Sequence, residues 1–314
     1  MLIFYRSRQN LLTISTRTDV KKKLRNLIYV LTIDKDYKRH YTYRIMRILC
    51  FANLLQSIPF LVGGVMTIAQ SNFSDALDRQ ALGSMIASGW YLYICTSVTL
   101  AVDRLLIFVF PRATYSSMIR TAFVALSIFV WLITLVGMSF LPGLGYTYEC
   151  DGEYYFWSYT LGSVSEVVVT LEPYCDMCVF SITFCIYLIV CRYLIKLKRS
   201  STDQSTSLKA EFRILIVAVC AFFYEIVFVI WSFWIPLYLL GLRFMYIYLN
   251  VTWMVECGMF ASLTLIINAI LRRKVFRIWG AKKKTKVVSI NGQSVFQSAV
   301  NKQKATTAFT LKEE

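Results

Sequence analysis

"L-A-V-D-R-L-L-I-F-V-F-P-R", Leu100 to Arg112, sets an adjacent acid and base, Asp103 and Arg104, deep in an apolar run and closes it with Pro111. Charged groups on an otherwise Leu, Ile, Val and Phe helix are expensive to hold in a bilayer. Three readings of the pair compete: a structural ion pair, an anchor that snorkels to water at the membrane edge, and a signalling switch.

The run is one of several. The chain has 314 residues, 57% of them hydrophobic and only 17% charged, with a mean hydropathy of +0.55. A soluble domain carries about a quarter charged residues. Here the charges cluster in short basic stretches between long apolar runs, the pattern of an all-α polytopic membrane protein. The net charge of +16 then reflects cytoplasmic loops that collect Lys and Arg, and no nucleic-acid partner is expected.

Of the nine cysteines, Cys50, Cys95, Cys178, Cys185, Cys191, Cys220 and Cys257 fall in apolar runs and read as small buried hydrophobes. Cys175 and Cys178 have C-x-x-C spacing but lie in an apolar helix without a His or a second pair, so no metal or redox site is expected. Cys150 alone sits in a polar acidic loop. The one His, His40, lies in a basic stretch. No hydrolase or kinase motif and no phosphate loop is visible, so neither an enzyme nor a cofactor is expected.

Six spans are expected, at about Tyr43–Gln70, Ala81–Phe110, Thr121–Leu141, Val167–Leu194, Phe212–Leu240 and Phe244–Leu271. Residues 1–42 are basic; their best apolar stretch, Asn26–Ile33, is too short to cross a bilayer, and with no h-region and charges starting at Arg6 no signal peptide is expected. The loop Ser71–Gln80 carries Asp75 and Asp78 against Arg79, and Gly143–Glu166 carries Glu149, Asp151, Glu153 and Glu166. Arg112 and Arg120 follow Pro111; Arg192, Lys196, Lys198 and Arg199 close the fourth span; Arg272, Arg273, Lys274 and Arg277 follow the sixth. Acidic loops therefore lie outside and basic loops inside. That topology puts the sequon at Asn72 outside, where a glycan can be attached, and the second sequon, Asn250, at a helix start. It also puts Asp103 and Arg104 at the cytoplasmic end of the second span.

Other ionisable groups lie in the spans. Glu172 and Asp176 are one helical turn apart near the outer end of the fourth and either present an acidic face to a ligand or reach the outer water. Glu225 and Glu256 lie deeper. In "W-S-F-W-I-P", Pro236 follows Trp234 by two residues, so a proline kink stands beside a large indole, either as a pivot or as a tolerated bend.

Several of these marks resemble the rhodopsin-like G-protein-coupled receptors. Asp103-Arg104 with Pro111 eight residues on resembles their acidic-Arg-aromatic motif and loop proline, with Leu105 for the aromatic residue. Trp131 stands at about the spacing of the next span's tryptophan. "F-W-I-P", Phe233–Pro236, resembles Cys-Trp-x-Pro, and Asn268 stands where Asn-Pro-x-x-Tyr is expected, with Ala269 and Arg272 replacing its proline and tyrosine. "R-R-K-V-F-R-I-W-G" resembles the amphipathic helix that follows the last span, over residues 272–280. Within that superfamily the chain resembles a nematode serpentine chemoreceptor of the srt/srx group, on "Y-R-I-M-R-I-L-C-F-A-N-L-L-Q" at Tyr43–Gln56 and "Y-F-W-S-Y" at Tyr155–Tyr159.

The resemblance implies a receptor in the plasma membrane or a sensory cilium. It would bind an odorant-like small molecule within the bundle at 43–271 and activate a heterotrimeric G protein. Asp103, Arg104, Pro111, Trp234, Pro236 and Asn268 would form the coupling switch. Trp90, Tyr91, Tyr174, Asp176, Trp231 and Trp234 are the candidate ligand contacts, chosen by depth and side-chain type. Departures accompany it. Residues 1–42 supply no first helix, so a truncated or non-functional receptor is expected. Arg79 stands where the outer disulfide cysteine belongs, which leaves Cys150 without a partner. Asn53 replaces the sodium-binding aspartate, and no ionic-lock acid is found. The alternative, a six-span channel or transporter, explains the even span count but lacks a pore filter, a voltage sensor and paired broken helices. Residues 281–314 form a polar, basic tail expected to be disordered.

Overall fold

A computed structural model of the chain describes residues 29, 41–71, 74, 76–110, 116–141, 143–151, 154–160, 162–200, 206–234, 245–269, 271–273, 275 and 276. Six long helices and one hairpin are present among them. Helix α1 spans Tyr41–Ala69. A π-helical turn, Ala76–Gly83, leads directly into α2, Ser84–Phe108. Helix α3 spans Ser116–Phe140. Strands β1 (Tyr146–Asp151) and β2 (Tyr154–Tyr159) form an antiparallel hairpin with Tyr148 opposite Trp157. Helices α4 (Ser163–Ser200), α5 (Thr206–Val229) and α6 (Met245–Ile267) complete the chain, and a second π-helical turn, Ile230–Trp234, extends α5.

All six helices are long and apolar enough to cross a membrane, with spans Tyr41–Ala69, Ala76–Phe108, Ser116–Phe140, Ser163–Lys196, Phe212–Phe233 and Tyr248–Ile267. Each overlaps one of the six spans expected from sequence, although the fifth ends at Phe233 where Leu240 is expected, residues 235–244 lying outside the described residues. The boundaries shift where turn chemistry overrode hydropathy. The second span starts at Ala76, because the acidic stretch before Ala81 winds into the π-helical turn rather than remaining a loop. The acidic loop after the third span is largely the hairpin, since "Y-T-Y-E-C-D" and "Y-Y-F-W-S-Y" are aromatic-rich strand formers.

Helix α2 is the axis. It packs against α1, α3 and α4, and 67% of its apolar window is buried, against 11% for α3. Small residues allow the close approach. A Cβ on Gly89 would stand 2.7 Å from Gln56 Cγ and 3.2 Å from the Ala52 carbonyl oxygen, so α1 and α2 cross nearly backbone to backbone. At the start of the same helix a Cβ on Gly83 would meet the Tyr146 carbonyl oxygen at 1.9 Å, so β1 rests directly on the π-helical turn. The hairpin is further bound to α1. The Tyr148 hydroxyl donates to the Gly63 carbonyl oxygen at 2.7 Å and shares a 2.5 Å hydrogen bond with Thr67 Oγ1.

The cysteine expectation requires correction. Cys50 and Cys257 are buried, but Cys178, Cys185 and Cys220 are exposed on the helix surfaces. In a bundle surrounded by lipid, an apolar run offers outward positions as readily as core ones, so hydropathy alone does not separate the two.

Candidate functional site

The polar side chains that the helices bury gather at two levels. One is the end of the bundle where α1 begins and α2 stops. Asp103 and Arg104 are neighbours on α2, where adjacent positions point about 100° apart, and a third group bridges the pair they form. Thr42, in the first turn of α1, supplies it. Its hydroxyl donates to Asp103 Oδ2 at 2.9 Å and accepts from Arg104 Nη2 at 2.5 Å, while Arg104 Nη2 reaches the same Oδ2 at 2.9 Å. On the other side Arg120 Nε of α3 stands 3.2 Å from Asp103 Oδ1. Both side chains of the Asp103–Arg104 pair are 0% exposed. The edge-anchor reading, in which they snorkel to water, is therefore wrong: the guanidinium is drawn inward by Thr42 and the carboxylate. The Tyr41 hydroxyl donates to the Arg120 carbonyl oxygen, and the Arg120 guanidinium carbon lies 5.9 Å from the Tyr41 ring centroid.

The second level lies under the hairpin and extends down α2. Trp90 stacks on Tyr93 at 6.1 Å and meets Phe228 of α5 and Trp253 of α6 edge-on at 5.7 and 6.0 Å. Trp253 also touches Phe60 of α1 and Tyr146 of β1, at 5.6 and 5.7 Å, and its indole N–H donates to Gln56 Oε1 at 2.8 Å. One indole thus joins α1, α2, α5, α6 and the hairpin.

Four carboxyl groups line this aromatic wall. The Trp90 indole donates to Asp176 Oδ2 at 3.2 Å, and the Tyr159 hydroxyl donates to Glu172. Deeper, the Tyr93 hydroxyl donates to Glu225 Oε1 at 2.5 Å, and Glu256 lies beside both. All four carboxyl groups are buried. The reading in which Glu172 and Asp176 merely reach outer water is excluded, because the hairpin and Trp90 cover them. Among the described residues none of the four is in an ion pair, and neither oxygen of Glu256 nor Oε2 of Glu225 has a hydrogen-bond partner. In the hairpin, burial pushes the Tyr146 and Tyr159 hydroxyls well above the ordinary tyrosine value, and the nearby Glu172 adds to the shift, so both remain protonated donors.

The candidates chosen from sequence divide accordingly. Trp90, Tyr91 and Asp176 come together in this chamber, with Tyr91 facing Glu172. Tyr174 does not join them. It is 57% exposed, because it stands two residues from both Glu172 and Asp176 and so faces away from them. Trp231 is half-buried in the second π-helical turn, its indole N–H without a partner among the described residues. Asn268 is buried immediately after α6, its backbone N–H donating to the Thr264 carbonyl oxygen at 2.9 Å. Trp234 is described in its backbone only, as the last residue of that turn. Pro111, Pro236 and Asn72 lie outside the described residues.

Sequence reasoning missed Thr42, Tyr93, Phe228, Trp253 and the hairpin tyrosines. Thr42 carries no motif, and Tyr159, although the last residue of "Y-F-W-S-Y", carries no mark of a partner for an acid. Trp253 stands in "N-V-T-W-M-V-E-C", where one indole in an apolar run looks like any other.

Six apolar spans, a buried Asp-Arg pair at one end of the bundle, and a packed cluster of buried aromatic and acidic side chains beneath the hairpin mark a multi-pass membrane protein of the serpentine receptor type. Residues 22–288 match the family described as "Serpentine type 7TM GPCR chemoreceptor Srt", and the chain belongs to it. The family is one of chemoreceptors, not enzymes. No curated protein matches the chain.

Proposed function

We propose that the chain binds a small molecule in the chamber beneath the hairpin and passes the signal to a heterotrimeric G protein at the Arg104 end. The observation that carries this reading is the pairing of the two levels on one helix. Trp90 and Tyr93 line the chamber, and Asp103 and Arg104 close the opposite end of the same α2. A ligand that moves α2 in the chamber therefore acts on the ion pair without an intermediary.

The chamber favours a ligand that carries a positively charged or hydrogen-bond-donating group on an apolar body. Among the described residues its carboxyl groups meet no cationic side chain, and its other wall is aromatic. In the active state Arg104 leaves Asp103 and Thr42 and meets the partner protein. A ligand needs a differential affinity of only a few kcal/mol between the two states to shift the population. The acidic-outside, basic-inside loop pattern makes the Arg104 end cytoplasmic.

The test is G-protein dissociation in cells that express the chain, challenged with a library of volatile and water-soluble amines and neutral odorants. Wild type responds, Arg104→Ala reaches the surface but does not respond, and Asp176→Asn loses the amine responses selectively. A response that survives Arg104→Ala removes Arg104 from coupling. An Asp176→Asn profile identical to wild type removes the acid from the ligand site.

A further inference from the structure

Helices α1 and α3 both lean on α2, and at the Asp103 end they leave an open groove of about 520 Å³ between them. Tyr41, Arg44, Arg47, Ile48 and Phe51 line it from α1, at spacings that place them along one helix face. Thr121 and Val124 line it from α3. The groove has a polarity gradient. Its end nearest the helix terminus holds two guanidiniums and a phenol; its deeper part is Ile48, Phe51 and Val124, and Trp131 packs edge-on against Phe51 at 5.9 Å just beyond. Among the described residues no acidic side chain lines it, and Arg47 makes no ion pair. Because so little of α3 is buried, this wall of the groove faces lipid.

We infer that this groove binds an anionic phospholipid, its headgroup phosphate between Arg44 and Arg47 and one acyl chain along Ile48, Phe51 and Val124. Charge and depth select this occupant. Basic pockets between membrane helices take acidic lipid headgroups, and two guanidiniums offer forked donors to phosphate oxygens. The apolar floor continues toward the membrane interior, which suits an acyl chain and gives a free anion nothing to hold.

The groove is also close to the buried ion pair. Tyr41 lines it, donates to the Arg120 carbonyl oxygen and lies against the Arg120 guanidinium, which pairs with Asp103. A headgroup at Arg44 and Arg47 adds negative charge one side chain away from that network. The inference depends on the chain lying in a bilayer and not on its coupling to any G protein.

The experiment uses the full chain in nanodiscs of phosphatidylcholine with a minority of phosphatidylserine, and native mass spectrometry to measure which lipid stays bound. Wild type retains phosphatidylserine over phosphatidylcholine. Arg44→Gln with Arg47→Gln weakens that retention roughly thirtyfold, about fivefold for each charge. Val124→Trp fills the groove while keeping both arginines, and it also releases the lipid, so the inference stays testable if the double variant fails to fold. Arg192→Gln, a charge outside the groove on α4, leaves retention unchanged. Undiminished retention in either groove variant overturns the inference. So does an equal loss in Arg192→Gln, which would mean diffuse surface charge. Displacement of phosphatidylserine by inorganic phosphate would mark a free-anion site, and displacement by cholesterol with no dependence on the arginines would mark a sterol site; both overturn it.

Discussion

At the Asp103 end of the bundle a buried carboxylate faces two guanidiniums and a hydroxyl; beneath the hairpin, four buried carboxyl groups meet no cationic side chain among the described residues. Both arrangements sit among α2 and its neighbours, so the contrast is one of partners and not of depth. At the first, charge is neutralised within the protein, and removing one member leaves the others exposed to a low-dielectric interior. In the second, nothing in the described chain neutralises the acids, and their substitution by neutral isosteres leaves no orphaned cation behind. One end therefore resembles a closed latch, and the other a buried acidic cluster without a cationic partner among the described residues.

The largest expected effect tests the latch. Asp103→Ala leaves Arg104, 0% exposed, without its carboxylate and strips Arg120 of its partner. Removing one member of a buried pair costs about 3–5 kcal/mol. The expected result is a large fall in the apparent unfolding temperature of the detergent-solubilised protein. Stability equal to wild type would erase the distinction between the two ends.

Next comes the lid. Gly83→Ala forces a methyl group into the space held by the Tyr146 carbonyl oxygen, 1.9 Å from where its Cβ would stand. Backbone cannot rotate aside as a side chain can, so the hairpin must lift. Overpacking of this kind costs about 1–3 kcal/mol. Hydrogen exchange in residues 146–159 should accelerate while α1 and the ion-pair end remain as protected as in wild type. Acceleration spread evenly over the bundle would show that the hairpin is not a separable lid.

These two regions were unequally legible in the sequence. Asp103, Arg104 and the six spans stood out because charge in an apolar run and runs of about 20 apolar residues are signals with a physical cost behind them. Whether the pair was buried did not stand out, because its burial depends on Thr42, sixty-one residues upstream and on another helix. The hairpin was hidden for the opposite reason. Its acidic residues mark an outer loop, and only the tyrosine and tryptophan side chains opposite one another reveal a strand pair that docks on Gly63 and Gly83. Trp253, which touches four elements besides its own helix, has no sequence mark at all. Tyr174 shows the converse error: the residue type fitted a ligand site, but its position on α4 faces the other way.

Arg120 gives a smaller effect that sharpens the comparison from within the charged end. Its side chain is 21% exposed and it contacts Asp103 at 3.2 Å, next to a pair that is already closed by Arg104 and Thr42. Partial exposure screens the interaction, so Arg120→Gln should cost about 1 kcal/mol or less. A double-mutant cycle with Asp103→Asn measures the coupling directly. A coupling as large as that between Asp103 and Arg104 would make Arg120 an equal member of the latch.

The smallest effect is the one that most separates the two ends. In Glu225→Gln the side-chain carbonyl oxygen still accepts from the Tyr93 hydroxyl, which now holds Glu225 Oε1 at 2.5 Å. The new amide replaces Oε2, an oxygen that has no hydrogen-bond partner. If the carboxyl group is ionised, the substitution removes an uncompensated buried charge and stabilises the fold. If it is protonated, the exchange is nearly isosteric and close to neutral. Either way no loss beyond about 1 kcal/mol is expected. Tyr93→Phe, which deletes the donor instead, should be the more damaging of the two, since it orphans the carboxyl oxygen that Gln would keep satisfied. Thermal unfolding of the two variants side by side decides the matter: a loss for Glu225→Gln comparable to that for Asp103→Ala would mean that Glu225 holds a cation, and that the chamber is a second latch.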